Sequence, residues 1–427
     1  MLFWYKYRVY MHTMHLIKSS YFNITNRHSD FIYLHTMKDF KQVDCFKSNF
    51  KLWKFLGVYP LDTSRPFLYA FYAKVFIFFF IIMYNMLLTL NIYFIPKNLD
   101  VFIDEMIFNF TLLSIMCKVL NFFLKKDDIN NLINILESDI FQPEYKHGIK
   151  VINETKNFIQ HYFKIYMAVC IISNFVHIFT PLFNHFIFKS ELSLPVCSYF
   201  FLSDNIRNYY IYPLYFYQII GMHFHVLLVV SIDNFVVGLK IFLLAQLEIL
   251  ENKLITVTDT FKSETKTQQK EANLITKLNK VFIHYGEVAK FCSAIEEAFS
   301  VTIFVHFSMC SYILCMGLIR FTMPAPWQYF IFLSTYACSL LIQIFIPCWV
   351  GTRIMERSCQ LGQAIYKCDW TPRSKYFKSS MRLFVERTKR PLSITGWKIF
   401  LLSVTTFSSM MNTAYSFFTV LRQMQSR

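Results

Sequence analysis

Residues 67 to 94 read FLYAFYAKVFIFFFIIMYNMLLTLNIYF, a run in which Lys74 is the only charge. About 20 mainly apolar residues in a helix cross ~30 Å of hydrocarbon, so this stretch is long enough to span a bilayer. Six further stretches meet the same requirement: Val101 to Leu124, Tyr162 to Phe183, Tyr209 to Val237, Phe299 to Ile319, Tyr329 to Val350, and Trp397 to Leu421. The second of the seven is the weakest, because Asp104, Glu105, Asn109 and Lys118 interrupt it. The pattern predicts an all-α membrane protein with seven transmembrane helices.

Composition points the same way. Of 427 residues, 55% are hydrophobic and 16% are charged, more apolar surface than a single soluble core needs. The 49 Phe and 26 Tyr suit lipid-facing walls, interfacial belts and aromatic-lined cavities. The nine Gly are scattered singly, and the phosphate-cradling strings GxGxxG and GxxxxGKS/T are absent. With neither CxxC nor HExxH, no metal or cofactor is expected. Most of the eleven Cys fall in apolar runs or in segments read as cytosolic, and only Cys197 falls in an outer loop, so no disulfide framework follows. The opening MLFWYKYRVY is broken by Lys6 and Arg8 and leads to no small-residue cleavage site, so no secretory signal is expected.

The net charge of +16 raises nucleic-acid binding as a reading, but the basic residues follow topology. With the N-terminus cytosolic, the inner side receives ten Lys and Arg in residues 1–66, five in 125–161, eight in 238–298 and ten in 351–396. The outer side receives Lys97, Lys189, Arg207, Arg320, Arg422 and Arg427. Lys74, Lys118, Lys164 and Lys398 lie within spans, toward their cytosolic ends, where long side chains can snorkel. Seven spans then put the N-terminus in the cytosol and the C-terminus outside, the inverse of a G-protein-coupled receptor, with no nucleic acid implied. The sequons at Asn23, Asn109 and Asn153 fall in the cytosol or in a span and are read as chance matches.

Two stripes stand out. Leu274, Leu278, Val281, Tyr285, Val288, Cys292, Ile295 and Phe299 recur at alternating steps of four and three, which predicts a helix running well into the cytosol before its span begins. The spacing leaves open whether this stripe packs within the chain or between subunits. In the last span, Thr405, Ser409, Asn412, Ser416, Thr419 and Gln423 share one helical face, and an uncharged polar face must look at protein or water. Spacing alone is compatible with interhelical hydrogen bonding and with a pore lining. Val420 and Met424, beside Gln423, are placed where an apolar constriction could gate by dewetting.

The segment Gly351 to Gln423 resembles the C-terminal signature of insect odorant receptors. It carries Ser358, Ala364, Tyr366 and Trp370, then RTKRP at Arg387 to Pro391, Thr395, Gly396, Lys398, Phe400, Leu402, Ser403 and Phe407, and TAYSFFTVLRQ from Thr413 to Gln423. The preceding QIFIPCWVG, Gln343 to Gly351, resembles the family's sixth-span ending, although Pro347 stands where an aromatic residue is usual, and Thr405 stands where many members are acidic. Gustatory receptors share the inverted plan but end on a different pattern and rank second, with a G-protein-coupled receptor further behind. The family's co-receptor has a longer second inner loop, so this chain reads as a ligand-tuning subunit.

The resemblance implies a tetrameric, odour-gated, non-selective cation channel, built with the co-receptor in the plasma membrane of olfactory sensory neurons. Residues 1–66 would be a cytosolic segment with a short interfacial helix over Phe50 to Phe67; of these, 1–36 read as a disordered extension, for which Met37 would serve equally well as a start. Residues 67–350 would hold transmembrane helices one to six, with cytosolic helical extensions around 238–298. Residues 351–396 would be a cytosolic anchor helix, and 397–427 the pore-lining seventh helix and tail, with a break near Pro391 to Gly396. Motif match puts Val420, Gln423 and Met424 at the family's gate. A volatile odorant or pheromone would bind in the outer half of the membrane, against Phe108, Leu112, Phe175, Phe179, Tyr212, Phe216, Ile219, Phe332 and Tyr336. No enzyme is expected: His223 and His225 fall on different faces of one span, and His177 and His306 sit alone in apolar runs, where core histidines with ordinary partners are the simpler reading.

Overall fold

In the computed structural model of the chain, which describes residues 41–58, 66–258 and 268–425, five of the first six predicted spans lie inside a helix, and the fourth, predicted from Tyr209, begins its helix at Ile211. The extension 1–36 and Met37 lie outside the described residues. A short helix α1 (Lys47–Phe55) precedes α2 (Phe67–Phe94), α3 (Leu99–Leu124) and α4 (Lys126–Leu136). Then come α5 (Lys146–Phe188), α6 (Asp204–Tyr209), α7 (Ile211–Ile255), α8 (Gln268–Arg320) and α9 (Trp327–Ala364). The chain ends in α10 (Lys375–Thr388), a hairpin of β1 (Thr395–Gly396) and β2 (Phe400–Leu401), and α11 (Val404–Gln425). Among the described residues, six helices are long and apolar enough to cross a membrane, α2, α3, α5, α7, α8 and α9.

At ~1.5 Å per residue, the 53-residue α8 is about 80 Å long, more than twice a bilayer's hydrocarbon thickness, so these helices run on into a second layer beyond any membrane. We call the end that holds 189–203 distal and the end that holds α1 and α10 basal. The predicted stripe explains the extension of α8: all eight of its residues, Leu274 to Phe299, are buried within this chain. The hub is α7, whose most apolar window is 78% buried and which packs on α5, α8 and α9. Its basal half receives α1. Trp53 is fully buried between Phe122 and Phe235, with ring centroids 4.9 and 5.0 Å away, and its Nε1 donates to Ser231 Oγ at 3.1 Å.

The polar residues that weaken the second predicted span all have partners. Lys118 Nζ lies 2.6 Å from Asp233 Oδ1 on α7. Arg320 at the end of α8 pairs with Asp104 at 2.9 Å, and the Tyr329 hydroxyl donates to the same carboxylate. Asn109 Nδ2 donates to Thr89 Oγ1, and Glu105 Oε1 accepts the backbone N–H of Ser198. In a setting without water, such groups persist only when satisfied by neighbouring elements, and the buried Glu105 and Lys118 mark interior positions of α3.

The C-terminal region differs from expectation in two places. Residues 351–396 do not form one helix: α9 runs on to Ala364, α10 follows, and β1 completes the segment. The last helix begins at Val404 rather than Trp397. Trp397 and Lys398, at φ 47° and 58°, form a tight reverse turn in which Ile399 N donates to Gly396 O, and Thr395 and Gly396 pair with Leu401 and Phe400. Two successive positive φ values are the geometry of a hairpin turn and are incompatible with continuing a right-handed helix.

Candidate functional site

In the distal half, α3, α5, α7, α8 and α9 leave a cavity of about 70 Å³ between them. Helical spacing points one residue per turn at it. Phe108, Leu112 and Ile115 come from α3, Cys170 and Asn174 from α5, Met222 and Val229 from α7, and His306, Cys310 and Ile313 from α8. Phe332, Tyr336, Leu340 and Gln343 close it from α9. One wall is aromatic: Phe108, Phe332 and Tyr336 stack in series, 6.1 and 5.7 Å apart, and His177 stacks on Phe332 at 4.0 Å.

Of the nine residues expected to face a ligand, the structure brings Phe108, Leu112, Phe332 and Tyr336 together around this cavity. The other five lie outside its lining. Phe175 and Phe179 stack on each other at 4.0 Å on an exposed face of α5, Tyr212 and Phe216 are exposed on α7, and Ile219 is half-buried.

The cavity also holds polar groups that sequence reasoning passed over. Thr111 donates its hydroxyl proton to the Ile107 carbonyl, so the Tyr336 hydroxyl, 2.5 Å away, donates to Thr111 Oγ1. Ser114 Oγ and His306 Nδ1 are 3.0 Å apart. His225 Nδ1 donates to the Gly221 carbonyl, which leaves Nε2 to accept from Asn85 Nδ2 at 3.2 Å. Asn174 Nδ2 donates to His223 Nδ1 at 3.3 Å. The histidines at 223, 225 and 306 thus all have hydrogen-bond partners, and His306 also has the Cys310 Sγ of its own helix at 3.7 Å.

The segment 189–203 roofs this region. Gln218 Oε1 accepts from Val196 N and Cys197 N, its Nε2 donates to Cys197 O, and Asn91 Oδ1 accepts from Phe200 N. Val196, Cys197 and Tyr199 are buried, and burial pushes the Cys197 thiol well above its usual range.

The second feature is α11. Thr405, Ser409, Asn412, Ser416, Val420 and Gln423 are exposed and Thr419 is half-buried, while Phe407 and Ala414 on the other face are buried. The Met424 side chain lies outside the described residues. Ser416 donates to the Asn412 carbonyl, Thr419 to the Ser416 carbonyl, and Thr405 shares a hydrogen bond with Ser403, so these hydroxyls are satisfied along their own helix or the turn before it. The stripe is therefore uncovered by the rest of the chain.

α11 packs on α8 and α9, and the linker before it is clamped between the same two helices. Ser358 Oγ accepts Leu392 N, Thr352 Oγ1 accepts Val404 N, Ser300 O accepts Trp397 N, and Thr395 donates to Glu296. Gly351 is needed for the approach, since a Cβ there would sit 2.1 Å from the Leu402 carbonyl oxygen.

A family model described as 7tm Odorant receptor matches residues 98–415. Odorant receptor 59a of Drosophila melanogaster is 24% identical over 413 residues, covering 90% of this chain and 98% of that one. Odorant receptor 67a of the same species is 22% identical and covers 70% and 75%. Among solved structures, the insect olfactory receptor OR5 from Machilis hrabei in complex with eugenol superposes with a TM-score of 0.77 at 15% identity, covering 90% of this chain and 100% of that one. At that identity the likeness establishes the fold.

Proposed function

Because the chain belongs to the odorant receptor family, we propose that it is a subunit of an odour-gated, non-selective cation channel, binding a volatile molecule in the distal cavity and lining a shared pore with α11. The observation that carries this reading is the polar face of α11, which the rest of the chain leaves uncovered over the length of the helix. At ~1.5 Å per residue its 22 residues reach about 33 Å, a full hydrocarbon thickness. Such a face needs water or a neighbouring chain. Four subunits around one axis supply both, with the family's co-receptor making up the tetramer.

In this arrangement α11 is the seventh spanning helix, the basal end lies in the cytosol with the amino terminus, and the carboxyl terminus is outside. The concentration of Lys and Arg in residues 1–66, 125–161, 238–298 and 351–396 supports that orientation. The setting is the plasma membrane of olfactory sensory neurons. Gating is a population shift: an odorant that binds the open arrangement tenfold better biases it by ~1.4 kcal/mol.

The test is whole-cell recording from cells that express this chain with an insect odorant co-receptor. Odour-evoked cation current is expected, and a charged thiosulfonate reagent should block it in Ser409→Cys and Asn412→Cys but not in Phe407→Cys. Silence to a broad volatile panel despite surface labelling, or equal block from both faces of α11, would refute the reading. An epitope tag at the amino end that antibodies reach on intact cells would refute the orientation.

A further inference from the structure

We infer that the cavity selects odorants carrying a hydrogen-bond donor, small alcohols and phenols, and that Asn174 is the residue that reads the donor. The inference rests on the cavity being the odorant site proposed above. Asn174 is 5% exposed, lines the cavity, and commits its Nδ2 to His223, while its Oδ1 has no hydrogen-bond partner.

The other polar groups at the cavity are differently placed. Tyr336 and Thr111 bond each other, Ser114 bonds His306, His225 is held from both sides by Gly221 and Asn85, and Ser339 donates to the Tyr336 carbonyl. Among the described residues that line the cavity, Asn174 Oδ1 is the one buried side-chain oxygen or nitrogen without a partner. Buried acceptors are nearly always paired, so an orphan on a residue that lines a cavity is a place for a ligand's or a water's proton. An alcohol satisfies it by displacing that water, whereas the matching methyl ether displaces the water and leaves the oxygen bare. Sites built around such a group discriminate more strongly than sites that read apolar volume alone.

His223 acts as a positioning residue. By accepting from Nδ2 it engages the NH₂ and leaves the amide oxygen as the group without a protein partner. Without it the amide rotates freely, and the NH₂ can serve ligands that only accept. The stacked rings of Phe108, Phe332 and Tyr336 then hold the carbon body, and the cavity of about 70 Å³ restricts that body to a small one.

The experiment uses the purified full chain in nanodiscs and reads thermal stabilisation by C6–C8 alcohols and phenols, each against its own methyl ether. Alcohols should bind at least about tenfold more tightly than their ethers, equivalent to ~1.4 kcal/mol. Asn174→Leu should abolish the difference, Asn174→Ser should retain part of it, and His223→Leu should narrow it by admitting ethers. Each variant's ligand-free melting temperature confirms that it is folded. Ethers binding as well as alcohols, full discrimination in a folded Asn174→Leu chain, or no binding of any panel member would overturn the inference. Selective binding without odour-evoked current in the co-expressed channel would instead refute the proposed function and leave the binding inference standing.

Discussion

The ion pair between Lys118 and Asp233 offers a direct test of what holds α3 in the bundle. The two side chains are 3% and 15% exposed, 2.6 Å apart, and the Tyr166 hydroxyl adds a longer bond of 3.3 Å to the second carboxylate oxygen. Lys118→Met removes the short bond and leaves Asp233 with only the Tyr166 contact. Breaking one side of a buried pair costs ~3–5 kcal/mol, whereas replacing both partners by apolar residues of similar volume is close to neutral. The cycle Lys118→Met, Asp233→Leu and the double variant should therefore be strongly non-additive, with the double variant within about 1 kcal/mol of the native chain. At ~2–4 °C per kcal/mol for chains of 150–250 residues, and less for a longer one, each single variant should melt roughly 5–10 °C lower. The assay is fluorescence-detected unfolding of the detergent-purified chain. Single variants melting within about 2 °C of native, or a double variant no better than the worse single, would show that the pair is not what the geometry makes it.

Other perturbations separate the remaining features. Gly351→Ala places a methyl 2.1 Å from Leu402 O and should lower thermal stability by ~1–3 kcal/mol, while Gly317→Ala, with open space around it, should be neutral or up to ~1 kcal/mol stabilising; both are read in the same melts. Lys398→Gly relieves a left-handed residue in the hairpin turn and should raise the melting point slightly, by up to ~1 kcal/mol of stability. On the pore face, Asn412→Lys should abolish cation current and Asn412→Asp should sustain or enlarge it; unchanged permeation in both, measured by patch clamp at equal surface expression, would remove α11 from the pore.

The bundle was legible because the bilayer imposes a length: a 20-residue apolar run is a physical requirement, and the first six met it. The basal extension of α8 was legible for a similar reason, since Leu274 to Phe299 repeat with the period of a helix packed along one side. The start of α11 was hidden by composition. Trp397, Ile399, Phe400, Leu401 and Leu402 are apolar enough for a hydropathy window to run straight through a hairpin, and the signal that breaks it is Gly396 together with the turn. For the cavity, apolar character does not tell inside from outside, because lipid-facing and core-facing surfaces are equally greasy. That is why Phe108 and Phe175 look alike in sequence yet end on different faces. The distinguishing signal lay in the polar residues: Ser114, Ser173, Asn174, His225, His306 and Ser339 mark the interior, since each would be costly against lipid.

The polar residues of α3 also bear on how the chain is made. A charged side chain costs a lone inserting helix ~2.5–3.5 kcal/mol at its centre and less toward its ends, and α3 emerges with Asp104 and Lys118 before Arg320 and Asp233 exist. The partner of Lys118 is 115 residues downstream and that of Asp104 is 216. A ribosome adding ~5–20 residues per second reaches Arg320 roughly 10–40 s after Asp104. For that interval α3, though apolar enough to span, holds these charges unpaired, so later helices complete its packing, and nascent chains truncated before Arg320 are the ones a quality-control protease should find first.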